Sequence, residues 1–156
     1  MKKLFLFTCL SALALTFNSC SGDDPSSNNN GPEGTLSFKL DGVQKTFNTI
    51  AINENVFTGD GVTYTIYGIT ASDNSDPSEL VYFTIEKTYT GTDSFNVFRF
   101  TSNNIIWYDY DLLSNTMINR DDKLKGSFSG SLYDGLAGGG EEELKIITDG
   151  TFDIDL

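Results

Sequence analysis

Chemistry in this chain concentrates in one heptapeptide, Ile105-Ile106-Trp107-Tyr108-Asp109-Tyr110-Asp111. In an extended strand alternate side chains share a face, which sets Trp107, Asp109 and Asp111 on one side and Ile106, Tyr108 and Tyr110 on the other. If the aliphatic side is buried, the single Trp stands in solvent beside two carboxylates. An aromatic platform stacks on the apolar face of a sugar ring while neighbouring acids accept hydrogen bonds from its hydroxyls. The competing expectation makes Trp107 a core residue and leaves the aspartates at a strand end. Trp107, Asp109 and Asp111 are therefore the candidate ligand-binding residues, with a glycan as candidate ligand; the interior of a β-barrel is the other location for a small ligand or glycan.

Three other segments carry clustered oxygen. Asp109, Asp111, Asn115, Asn119, Asp121 and Asp122 are dense enough to feed a hard cation, which takes six to eight oxygens. Their spacing does not match an EF-hand loop, so the expectation is a solvated polar loop and no metal. Asp73-Asn74-Ser75-Asp76 with Glu79 is a weaker version of the same composition, and Glu141-Glu142-Glu143 reads as a solvated turn that discourages edge pairing. The chain has no His, which removes Ser-His-Asp and Cys-His nucleophile systems and imidazole zinc sites. No glycine loop sits between a strand and a helix to cradle phosphate. A pair of carboxylates suffices for glycoside hydrolysis, but nothing in the sequence marks any pair as buried and opposed. The expectation is a non-catalytic domain without a cofactor.

The elements that must position these residues are strands. From Gly34 onward the hydrophobic pattern has period two and no sustained helical spacing. Strands are expected at 35–41 and 43–49, joined by Asp41-Gly42, a dipeptide suited to a two-residue hairpin whose central residues need positive φ. Further strands are expected near 51–57 and 62–71, across Thr58-Gly59-Asp60-Gly61, then at 81–85, 94–101 and 104–111. Near the C-terminus Leu124, Phe128 and Leu132 share even parity with Gly126 and Gly130. Leu144, Ile146, Phe152, Ile154 and Leu156 are also even, so one long strand is expected to run through Asp149-Gly150, bent there, with its parity intact. The Gly-rich loop 134–142 would join the two strands and set Lys123 opposite Asp153. About nine antiparallel strands in a meander must close or stack, which predicts an all-β domain, a flattened barrel or β-sandwich.

Residues 1–20 read as an export signal. Lys2 and Lys3 precede an apolar run of about 14 residues, short of the roughly 20 that span a bilayer. The ending Phe17-Asn18-Ser19-Cys20 resembles a lipobox, the site where bacterial lipoproteins are acylated on the cysteine and cleaved before it. Cys9 would leave with the leader, so Cys20 would be the one cysteine of the mature chain, unable to form an internal disulfide. Lipid on its sulfur accounts for it, and two or three acyl chains anchor a protein stably. The expected organisation is a leader at 1–19, lipidated Cys20 with a polar tether over 20–34, and one β domain over 35–156. Asp23 and Asp24 resemble the short acidic signal that sends Bacteroidota lipoproteins to the outer face of the outer membrane, the alternative being a periplasm-facing anchor.

The formal net charge of −12, from 10 basic and 22 acidic residues, becomes −14 once Lys2 and Lys3 are removed. Such a domain is repelled by phosphate backbones, so nucleic acid is excluded as a partner, leaving the membrane through the anchor and a glycan or envelope protein. The tether after Cys20, the segment Gly34-Thr35-Leu36-Ser37-Phe38-Lys39-Leu40-Asp41-Gly42-Val43, and the closing Lys125-Gly126-Ser127-Phe128-Ser129-Gly130 with Leu144-Lys145-Ile146-Ile147-Thr148-Asp149-Gly150 together resemble a family of small uncharacterised Bacteroidota lipoproteins. That resemblance implies an antiparallel β domain on a lipid tether and no catalytic residues.

Overall fold

The computed structural model describes residues 32–73, 75–135 and 144–156. The leader, Cys20 and most of the tether, Asn74, Glu141-Glu142-Glu143 and most of the Gly-rich loop lie outside the described residues.

The domain is all-β, as the period-two pattern predicts. Its strands are β1 (Gly34–Leu40), β2 (Val43–Phe47), β3 (Thr49–Gly59), β4 (Val62–Ser72), β5 (Leu80–Glu86), β6 (Gly91–Thr92), β7 (Phe95–Ser102), β8 (Ile105–Asp109), β9 (Leu113–Arg120), β10 (Lys123–Asp134) and β11 (Leu144–Asp155). Three hairpins use two-residue turns with both central φ angles positive: 49° and 83° at Asp41-Gly42, 51° and 78° at Asp60-Gly61, 52° and 64° at Asn103-Asn104. That sign matches the right-handed twist of the flanking strands.

All strands belong to one antiparallel sheet, in the order β2-β1-β11-β10-β8-β7-β5-β4-β3, curled into a half-barrel. From β3 to β11 the path follows the chain, and the N-terminal hairpin then adds to β11. One edge of β10 serves two neighbours: its C-terminal end pairs with β8 and its N-terminal half with β9, which in turn carries β6.

Strand β9 corrects the expectation of a solvated loop. Its inward residues Ser114, Thr116 and Asn119 are polar yet buried, so the segment shows no apolar alternation. A hydrogen-bonded seam replaces it. The Thr116 hydroxyl donates to Ser94 Oγ at 2.8 Å, Phe95 N–H donates to Ser114 Oγ at 2.9 Å, and Asn119 Nδ2 donates to the carbonyls of Glu86 and Tyr89 at 2.8 and 2.9 Å. Buried polar groups persist when paired in this way.

The core is aromatic. Phe38, Phe47, Phe83, Phe98, Phe100, Phe128 and Phe152 are buried, and Phe38 on β1 and Phe47 on β2 meet Phe100 on β7 at ring separations of 5.7 and 6.3 Å, across the curl of the sheet. A Cβ on Gly126 would lie 2.3 Å from Cζ of Phe152, so that glycine makes room for the ring. Glu79, just before β5, also joins β2 to β7, accepting hydrogen bonds from Lys45 Nζ at 2.6 Å and from Ser102 Oγ at 3.1 Å.

Strand β11 is one long bent strand, but its parity breaks. Asp149 has φ 54°, and the β10–β11 register shifts across it, so Ile147 is buried while Leu144 and Ile146 are exposed. The Asp149-Gly150 pair makes a bulge, and an inserted residue flips every side chain beyond it. Lys123 stands opposite Asp155 and Lys125 opposite Asp153, two residues from the expected register, although Lys123 also ion-pairs diagonally with Asp153.

Candidate functional site

Strand β8 is where the sequence placed its chemistry. Trp107 is 5% exposed and belongs to the core, its ring covered by Lys145 Nζ at 5.3 Å from the centroid. An exposed Trp107 platform is therefore corrected: Trp107, Asp109 and Asp111 do not form one solvent-facing surface. Asp109 is exposed at the last position of β8. Asp111 lies beyond it, its Oδ1 accepting hydrogen bonds from the Ser131 hydroxyl and, at 2.7 Å, from the Ser131 amide. Those two bonds hold its carboxyl below the usual range.

The suspected cation clusters are likewise drawn apart. Asp121 pairs with Lys87, Asp122 with Arg120, and Asn119 is committed to backbone carbonyls. Asp73 accepts from the amide and hydroxyl of Ser75, which lowers its pKa, Asp76 accepts from Ser78, and Glu79 holds Lys45. Among the described residues, no three acidic or sulfur side chains converge on one point. The barrel interior, the other location considered for a ligand, is filled by the phenylalanine rings.

The opposite face of β8, the side that an exposed Trp107 would have required to be buried, carries a different arrangement. Tyr133 on β10, Tyr108 on β8, Arg99 on β7 and Tyr82 on β5 are successive cross-strand partners, so they form one outward-facing row. At about 4.8 Å per strand the row spans roughly 14 Å. Tyr108 and Tyr133 lie 5.8 Å apart with their planes inclined by 32°, and Tyr110 packs edge-on against Tyr133 at 6.4 Å. The Arg99 guanidinium sits 5.4 Å from the centroid of Tyr108. Beside the row, Ile106, Leu80, Leu144 and Ile146 are exposed, and Tyr110 is 62% exposed.

Gly135 sets the height of Tyr108, since a Cβ there would lie 2.2 Å from the ring's Cε2. The Tyr108 ring thereby rests on main chain. Such a surface offers π faces and one guanidinium, with phenolic hydroxyls at the margins, which suits stacking and hydrogen bonding to a polyhydroxylated ligand. Glu79 is the one buried carboxylate among the described residues, and it is held by Lys45. No opposed pair of buried acids accompanies it.

The sequence missed this row because its members come from four strands and align only when the register is known. The available signal was the shared parity of Tyr108 and Tyr110, opposite Trp107. No family model, curated protein or solved structure matches this chain.

Proposed function

We propose that this chain is a lipid-anchored envelope lipoprotein, attached through Cys20 at the outer membrane and facing the cell exterior, whose β domain is a non-catalytic binding module for glycans. The observation that carries the glycan reading is the row Tyr82, Arg99, Tyr108 and Tyr133 on one outer face, flanked by Tyr110. Monomers rarely expose a large contiguous apolar patch, so these half-buried tyrosines with exposed Tyr110, Ile106, Leu80, Leu144 and Ile146 beside them mark an interaction surface. Its extent across four strands favours an extended chain of sugar rings over a compact ligand, which would need a concave pocket. The lipobox-like Phe17-Asn18-Ser19-Cys20, the polar tether and the resemblance to small Bacteroidota lipoproteins support the anchoring.

Two experiments separate these parts. Palmitate labelling of the expressed chain tests the anchor: incorporation that disappears in Cys20→Ser supports it, and an unlabelled protein refutes it. Screening the protein against arrayed envelope and host polysaccharides tests the module. Retention that is lost in Tyr108→Ala supports the reading, and retention unchanged by that substitution places the ligand elsewhere.

A further inference from the structure

The β3–β4 hairpin reaches beyond the rest of the sheet. Strand β5 covers β4 only from Ile66 to Ser72, so the outer part of the hairpin stands as a two-stranded arm. Its side chains Val56 and Val62 are 66% and 63% exposed, and Phe57 stacks on Tyr64 at 5.6 Å in the open. Among the described residues β3 pairs in the sheet with β4 alone and ends it, leaving an outer edge along residues 51–58. Long free edges are ordinarily blunted by lysine, proline or a bulge. This one has none of these: its single charge is Glu54, offset by Lys87 Nζ at 3.3 Å.

The edge is also self-complementary. Residues Ile52-Asn53-Glu54-Asn55-Val56 read nearly the same in both directions. An antiparallel pairing of two copies about a two-fold axis through Glu54 sets Ile52 against Val56, Asn53 against Asn55, and Ala51 against Phe57, apolar with apolar and amide with amide. The hydrogen-bonding parity agrees. Gly59 and Val62 flank a two-residue turn and so bond to each other, which turns the odd residues of β3 toward β4. Ile52, Glu54 and Val56 then hold their N–H and C=O groups toward the free edge, where the two-fold needs them.

We propose that this edge is a homodimer interface, in which β3 of two copies pairs in antiparallel register about Glu54 and joins the two sheets into one. An isologous contact requires a patch complementary to itself, and the near-palindrome supplies it. The two Glu54 carboxylates face each other across the axis, so neutralising them tightens the dimer. This inference is independent of the glycan reading, because the arm lies outside the tyrosine row.

The test is sedimentation of the full chain in detergent micelles, combined with disulfide trapping. The parent protein is expected to sediment as a dimer, Val56→Lys as a monomer with unchanged circular dichroism, and Glu54→Gln as a dimer that dissociates at several-fold lower concentration. On oxidation E54C in a Cys9→Ser/Cys20→Ser background is expected to give a reducible dimer that the same background without it does not give. In this register Thr58 residues lie about 26 Å apart along the strands, beyond disulfide reach, so T58C is expected to stay uncrosslinked. A monomeric parent, a dimer that survives Val56→Lys, or trapping by T58C in place of E54C overturns the proposal. If Val56→Lys does not fold, the E54C and T58C pair decides alone.

Discussion

Tyr108 stands directly opposite Tyr133 across β8 and β10, their ring centroids 5.8 Å apart, on the face of the strand away from buried Trp107. Adjacent residues thus divide the labour: Trp107 fills the core and Tyr108 meets solvent. The ring of Tyr108 rests on Gly135, and this contact gives the first prediction. Gly135→Ala is expected to lift the ring, because the added carbon would fall 2.2 Å from it and the alternative is overpacking strain of about 1–3 kcal/mol. The ring-current shifts of Tyr133 should change while the melting temperature moves by only a few degrees.

The seam beneath β9 gives the second. Asn119 is buried, and its side-chain amide donates to the carbonyls of Glu86 and Tyr89. Asn119→Ala removes both bonds, leaving the Glu86 carbonyl with the Tyr89 amide at 3.1 Å as a partner, and is expected to destabilise the domain by about 1–2 kcal/mol in urea unfolding. Exposed Asn115 on the same strand tolerates Ala within about 0.5 kcal/mol, as surface positions usually do.

The third concerns pH. Hydrogen bonds and charge from Lys123 and Lys125 hold the Asp153 carboxyl below its ordinary value. A depressed carboxylate pKa stabilises the folded state above the unfolded pKa of about 3.9, and that contribution is lost as pH falls through the folded value. Lys123 is shifted upward by Asp153 and Asp155, so its contribution is complete below about 10.4 and fades as pH rises further. Asp153 is 41% exposed, which keeps the effect small. Asp153→Asn is expected to lower stability by about 0.5 kcal/mol at neutral pH and by less at pH 2. Guanidinium is unsuitable because it screens the pair, so urea melts at both pH values check it.

The fourth rests on the bulge. Asp149 is a non-glycine residue at φ 54°, a conformation that a β-branched side chain resists. Asp149→Val is expected to destabilise by about 1–2 kcal/mol, whereas Asp149→Gly exchanges backbone relief for the lost Lys39 ion pair and stays close to neutral. Thermal melts of the two variants distinguish backbone strain from charge loss.

How much of this was legible follows from what each residue says locally. Asp41-Gly42 announces its hairpin because the turn's dihedral signs need those residue types, and Leu124, Phe128 and Leu132 announce a buried face by alternation. Asp149-Gly150 has the same composition as a turn but makes a bulge, a choice set by the neighbouring strands β1 and β10. Strand β9 is hidden because Ser114, Thr116 and Asn119 are buried through hydrogen bonds to Ser94, Glu86 and Tyr89, none of which is near in sequence. The tyrosine row is hidden for a related reason. Its parity was visible on β8, but which face is buried depends on the curl of the whole sheet, which places Trp107 rather than Ile106 inside.

The most direct measurement is calorimetric titration of the best-retained oligosaccharide from the array into the parent protein and into Tyr108→Ala/Tyr133→Ala. Base–aromatic stacking is worth about 1–3 kcal/mol per ring in nucleic-acid grooves, and a similar scale per ring on sugars gives at least a tenfold loss of affinity for the double variant. Trp107 fluorescence should stay at its buried emission maximum throughout. Equal affinity in the two proteins, or an emission shift of Trp107 on binding with the tyrosines unaffected, would contradict a glycan site on the tyrosine face.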